Sequence, residues 1–146
     1  MRRTSNCASR RDRPTGDYVT PEGETFAVEF PDDPQETAGV QLTPLGEAVS
    51  RTLIWTSDDG RTRYEATVLR LPRTPTAEEA ASLLLGDEAA TVGGRPGRAR
   101  SLIEGDDGVH FRSVVAGDRL YQLSAKTKKE PTADDRKFLE SLRLPK

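Results

Sequence analysis

Short apolar runs of period two, broken by turns rich in Asp and Gly, constrain this chain more than any other feature. Phe26, Val28 and Phe30 alternate with Ala27 and Glu29 until Pro31 removes a ladder donor and Asp32-Asp33-Pro34 turns the chain. That is a half-buried first strand. After a polar stretch from Gln35 to Pro44, Val49, Leu53 and Trp55 lead through Ser57-Asp58-Asp59-Gly60 to Tyr64, Ala66 and Val68. Looping out residues 57–60 pairs Thr56 with Arg61, Leu53 with Tyr64 and Val49 with Val68, so the two apolar faces coincide.

The period changes after Pro75. Thr76-Ala77-Glu78-Glu79 has the form of a capping box, and Ala77, Ala80, Ala81, Leu84 and Leu85 recur at helical spacing up to Gly86. A meander then reads as Ala99 to Glu104, Val109 to Ala116 and Leu120 to Lys126. Pairing Glu104 with Val109 sets Leu102 opposite Phe111. At the next turn a two-residue Gly117-Asp118 loop would oppose Arg112 to Leu123 and mix faces, so a longer loop or bulge, with Val115 opposite Tyr121, is expected. Thr132 caps a last helix of about three turns bearing Phe138, Leu139 and Leu142, and Leu144 adds a short extended piece that docks on the sheet. The expected order is β-β-β-α-β-β-β-α. It describes an α+β fold, a largely antiparallel sheet of about six strands flanked by helices.

With 146 residues the chain has room for one ordinary domain. Residues 1–23 show neither period and carry Arg2, Arg3, Arg10, Arg11 and Arg13 diluted by Asp12, Asp17 and Glu22, which reads as a flexible leader. The domain is expected over residues 24–146, where 28 of the 29 Leu, Ile, Val and Phe residues fall, enough for a core. A net charge of −2 argues against a nucleic-acid partner. No apolar run exceeds three residues, so no membrane-spanning segment or secretory signal is written in the chain. Two readings follow: a cytoplasmic protein if Met1 is a genuine start, or a mature or misassigned start whose export signal is missing.

Candidate chemistry is sparse. His110, the one histidine, has parity opposite to Phe111 and is expected to face away from the core. One imidazole without a signature around it makes no triad. The acid pairs Asp32-Asp33, Asp58-Asp59 and Asp106-Asp107 sit in turns, and Asp134-Asp135 lies in a first helical turn, where backbone hydrogen bonding and the helix dipole account for them. None has the spacing of a calcium loop. Gly93-Gly94-Arg95-Pro96-Gly97-Arg98 lacks the Lys-Ser/Thr ending of a phosphate loop and leads into a strand, so it reads as a turn. Cys7 and His110 cannot close a zinc site. The Lys126-Thr127-Lys128-Lys129 cluster reads as a solvated, charged edge. No catalytic, cofactor-binding or metal-ligating residue is therefore assigned, and no cofactor is expected.

The segment Phe26 to Pro34, of the type Phe-x-Val-x-Phe-Pro, resembles the opening of the PsbP-like proteins and their bacterial relatives, which are often envelope lipoproteins. The resemblance continues through Tyr64 to Pro72, Gly94 to Arg98, Arg119 to Leu123 and Lys137 to Leu144, covering roughly residues 24–145. It implies an α/β/α sandwich used as a binding or assembly module of the bacterial cell envelope, with a protein or small ligand as partner. The better-known members assist photosystem assembly or bind a small GTPase, and none of the matched segments is a motif for either activity. The lipobox is a departure, since Thr4-Ser5-Asn6-Cys7 lacks its apolar residue. Three readings follow: a non-enzymatic binding module; an enzyme or metal-dependent factor using His110 with turn aspartates; and a chaperone-like assembly factor using an exposed sheet face.

Overall fold

The computed structural model describes residues 17–21, 23–84 and 86–144. Among the described residues nine strands and two helices occur in the order β1 (Asp17–Val19), β2 (Val28–Phe30), β3 (Gln35–Thr43), β4 (Gly46–Thr56), β5 (Arg63–Arg70), α1 (Ala77–Leu83), β6 (Glu88–Val92), β7 (Arg95–Glu104), β8 (Asp107–Ala116), β9 (Arg119–Lys128) and α2 (Ala133–Leu139). Strands β3 to β9 form one antiparallel sheet in the order β3-β4-β5-β9-β8-β7-β6, and β1 and β2 form a separate hairpin. The class is α+β with a largely antiparallel sheet, as the alternating runs imply. Neither helix is long and apolar enough to cross a membrane, among the described residues.

Three strands are additional to those read from the sequence. Of the leader expected over residues 1–23, residues 1–16 lie outside the described ones, and Asp17–Val19 pairs with β2. The polar stretch after Pro34 is β3, almost wholly exposed, whose alternation of Ala38, Val40 and Leu42 was masked by polar neighbours. β6 joins β7 through Gly93-Gly94, with Val92 opposite Arg95. Both glycines have positive φ, +59° and +80°, as a two-residue hairpin turn of this kind demands. The supposed phosphate loop is thus a hairpin turn, as expected.

The sheet buries parts of both faces. On the first face Leu53, Tyr64, Ala66, Val68, Val114, Tyr121 and Leu123 pack against Phe26, Val28 and Phe30 of the β1–β2 hairpin and against Phe138, Leu139 and Leu142 of α2 and the segment after it. Phe26 meets Tyr121 edge-on at 5.0 Å, and Phe138 stacks on Tyr64 at 4.5 Å. On the second face Ala48, Leu69, Leu71 and Leu120 meet Leu83 of α1. The helices start where capping predicts: the Thr76 and Thr132 hydroxyls accept from the amides of Glu79 and Asp135, whose carboxylates accept in return from the cap amides. At seven residues α2 is about two turns long, shorter than expected. The segment after α2 docks as anticipated, with Leu144 packed against the first-face core and reciprocal hydrogen bonds of 2.9 and 2.8 Å between Ala27 and Arg143.

Two buried faces explain why the expected β8–β9 register fails, and turn geometry explains the other two. At β8–β9 the turn is the tight Gly117-Asp118 loop, with Val114 opposite Tyr121 and Arg112 opposite Leu123. The neighbouring pair Val115–Leu120 then projects to the second face, which is apolar here as well, so mixed parity carries no penalty. At β4–β5 the loop spans residues 57–62, and Leu53 opposes Ala66 instead of Tyr64, Val49 Arg70 instead of Val68. The Ser57 amide donates to the Thr62 carbonyl at 2.8 Å, and Asp59 Oδ1 accepts from the Ser57 hydroxyl and the Arg61 amide at 2.7 and 3.0 Å, closing the wider turn. At β7–β8 Gly105, with φ +63°, lets a two-residue turn form, so Leu102 opposes Val109 instead of Phe111. Both slips are of two residues and keep each side chain on its face.

Candidate functional site: an open charged cleft at one end of the sheet

Three segments converge where β5 and β8 begin and β9 ends. Gly60, Arg61 and Thr62 come from the β4–β5 loop, Asp106 and Asp107 from the β7–β8 turn, and Lys126 to Glu130 from the end of β9 and the residues after it. They line a cleft of about 800 Å³, a size that suits a small ligand. Period two places Lys126 and Lys128 on one face of β9, opposite Val109 and Asp107 of β8. The buried Thr127 points to the other face. The lining carries Arg61, Lys126, Lys128 and Lys129 against Asp106, Asp107 and Glu130. Among the described residues no salt bridge joins these seven side chains to one another.

The cleft has ordered walls. Asp59 ties down the β4–β5 loop, and the hydrogen bond from the Ser57 hydroxyl, then that from the Arg61 amide, hold its carboxyl below the usual carboxylate range. The Lys129 amide donates to the Asp106 carbonyl at 2.8 Å, joining the other two segments.

His110 lies behind this end of the sheet, and here the sequence expectation is corrected. It is 4% exposed and shares the first face with Val114, Leu123 and Ala125, whereas Phe111 belongs to the second face. Parity counted from Phe111 exposes His110 only if the sheet buries a single face, and this sheet buries parts of both. The imidazole is accommodated by polar partners: Nε2 lies 3.0 Å from the Lys128 carbonyl and Nδ1 2.7 Å from the Ser101 hydroxyl. A carbonyl only accepts, so Nε2 carries hydrogen, and in the neutral ring Nδ1 accepts from Ser101. The ring, carried by β8, thus ties that strand to β9 through Nε2 and to β7 through Nδ1.

The acid pairs are distributed. Asp32, Asp33 and Asp58 border a shallow pocket of about 330 Å³ beside Trp55, and Asp106 and Asp107 border the charged cleft. Asp134 is exposed, and Asp135 is buried and accepts from the Tyr64 hydroxyl at 2.5 Å. None is hydrogen-bonded to His110. No group of three His, Cys, Asp or Glu side chains arranged to hold a metal ion occurs among the described residues.

Sequence reasoning missed the Tyr64–Asp135 bond and a second buried carboxylate. Glu24, with 6% of its side chain exposed, meets Arg119 Nε at 3.1 Å and an Arg70 guanidinium nitrogen at 3.4 Å. Nothing local marks Glu24, since its partners stand 95 and 46 positions away. The convergence of Arg61, the Asp106-Asp107 pair and the Lys126 cluster was equally hidden. Each is an ordinary turn or edge feature alone, and only strand order unites them. No family model matches the chain, and no curated protein matches it.

Proposed function

We propose that this protein is a non-enzymatic binding or assembly module, a PsbP-like α/β/α sandwich of the bacterial cell envelope, whose cleft at the sheet end takes a small ligand carrying negative charge. The observation that carries the reading is the cleft itself: four cationic groups are gathered there without salt bridges to the three acids beside them. Charges left unpaired at low desolvation cost are ready to meet a charged ligand, and Lys126 and Lys128 project from the same face of one strand to do so. A structural duty for the imidazole also supports it, because both ring nitrogens are engaged by protein partners. The helix on each face of the antiparallel sheet suits the sandwich that the resemblance implies.

The test is thermal unfolding in the presence of inorganic pyrophosphate or citrate at fixed ionic strength. A saturable rise in melting temperature is expected for the wild type and is lost in the Lys126→Glu, Lys128→Glu double variant. A wild-type melting temperature that stays flat with both probes rules out the anionic ligand.

A further inference from the structure

Strand β3 is one edge of the seven-stranded sheet, and among the described residues it carries none of the usual guards against pairing with another strand. Its nine residues pair with β4 in unbroken register from Gln35–Ile54 to Thr43–Gly46, so no bulge twists the edge away. It contains no Lys, Arg or Pro, and its one charge, Glu36, is already bound by Arg51 of β4 at 2.9 Å. Eight of its nine residues are exposed among the described residues. Val40 is 65% exposed, Leu42 79%, and Val49, directly opposite Val40 on β4, 51%. The other edge, β6, is only five residues long.

We infer that β3 pairs antiparallel with β3 of a second copy of this chain, about a two-fold axis through Val40. The choice of partner rests on the strand's own order, Thr37-Ala38-Gly39-Val40-Gln41-Leu42-Thr43. Turned on itself about Val40, it sets valine against valine, Ala38 against Leu42, Gly39 against Gln41 and Thr37 against Thr43. Apolar groups meet apolar ones on one face, and the threonines and glutamines lie on the other. No like charges are opposed in this symmetric contact: the seven paired residues carry none, and Glu36 falls opposite Pro44, not opposite another acid. Prolines at 34 and 44 bracket the strand and end the ladder where the match ends. Such a pairing forms about six to eight main-chain hydrogen bonds, alternate residues exchanging two each. It also brings the exposed Val40, Leu42 and Val49 of both copies into one continuous apolar strip.

Sedimentation equilibrium over a range of protein concentrations reads the result. The wild type is expected to reach twice the 16.0 kDa chain mass, and Val40→Lys, which sets two ammonium groups face to face on the axis, to stay at the monomer mass with an unchanged far-UV circular dichroism spectrum. The register is read in a Cys7→Ser background. Val40→Cys then forms a symmetric disulfide on oxidation because each cysteine faces its twin, whereas Thr43→Cys, which faces Thr37, does not. A wild type that remains monomeric, a Val40→Lys variant that dimerises as well as the wild type, or cross-linking through position 43 in place of 40 each overturns the proposal.

Discussion

Tyr64 and Asp135 stand 71 positions apart and join the sheet to the last helix through one short hydrogen bond. The other oxygen of Asp135 accepts from the Thr132 amide at 2.7 Å, so the same carboxylate that closes the cap of α2 also fixes where the helix sits on β5. Burial first, and then the hydrogen bond to Asp135, push the Tyr64 phenol well above its ordinary 10.0. A group whose pKa is raised by folding contributes stability that is whole below the unfolded value and lost as the pH rises past it. Tyr64→Phe removes a donor from a buried carboxylate and is expected to cost about 1–3 kcal/mol in urea unfolding at neutral pH. The gap between wild type and variant narrows as the pH rises above 10.0. A gap that stays constant would show that the hydroxyl is not what holds Asp135.

At the scale of elements, short helices depend on their first turns. Helix α1 has seven residues, of which only Leu83 is buried, and its Glu79 serves twice: it accepts from the Thr76 amide at 2.9 Å and from both terminal nitrogens of Arg73 at 2.7 and 2.6 Å. Arg73 first, and the Thr76 amide second, lower its carboxyl to about 2 from 4.5. A depressed carboxylate contributes stability that is present above the unfolded value and lost as the pH falls towards the folded one. The melting temperature of Glu79→Gln should therefore lie below that of the wild type at pH 6 and converge on it between pH 4.5 and about 2. A difference independent of pH would locate the effect elsewhere. Both capping boxes were legible as Thr-x-x-acid runs, because a cap is built from residues three apart.

Across the whole molecule the two buried faces are unequal. The first, between the sheet and the layer made by the β1–β2 hairpin and α2, contains Phe26, Phe30 and Phe138, all about 1–2% exposed or less, with the tyrosines they pack on. The second is a patch under α1, closed by Leu83 at 8% exposure. Phe138→Ala should cost about 3–5 kcal/mol in chemical denaturation and Leu83→Ala about 2, since a cavity at the margin of a patch relaxes more easily. Equal losses would mean that the second patch carries as much of the fold as the first.

What could be read along the chain was whatever depends on neighbours: the alternation of Phe26, Val28 and Phe30, the glycine turns, the change of period after Pro75 and the two capped helix starts. Period and cap chemistry are local, and so they survive in a single sequence. What waited for the folded molecule was everything that depends on how many faces a sheet buries. One covered face was assumed, and from it followed the wrong turn at Gly117 and an exposed His110. The sheet buries part of each face, so parity along a strand says which side chains share a side and is silent on which side is dry. The buried carboxylates of Glu24 and Asp135 and the gathering of Arg61, Asp106 and Lys126 belong to the same class, because only the packing of strands, loops and helix brings distant polar groups close enough to satisfy, or to leave open, one another's charge.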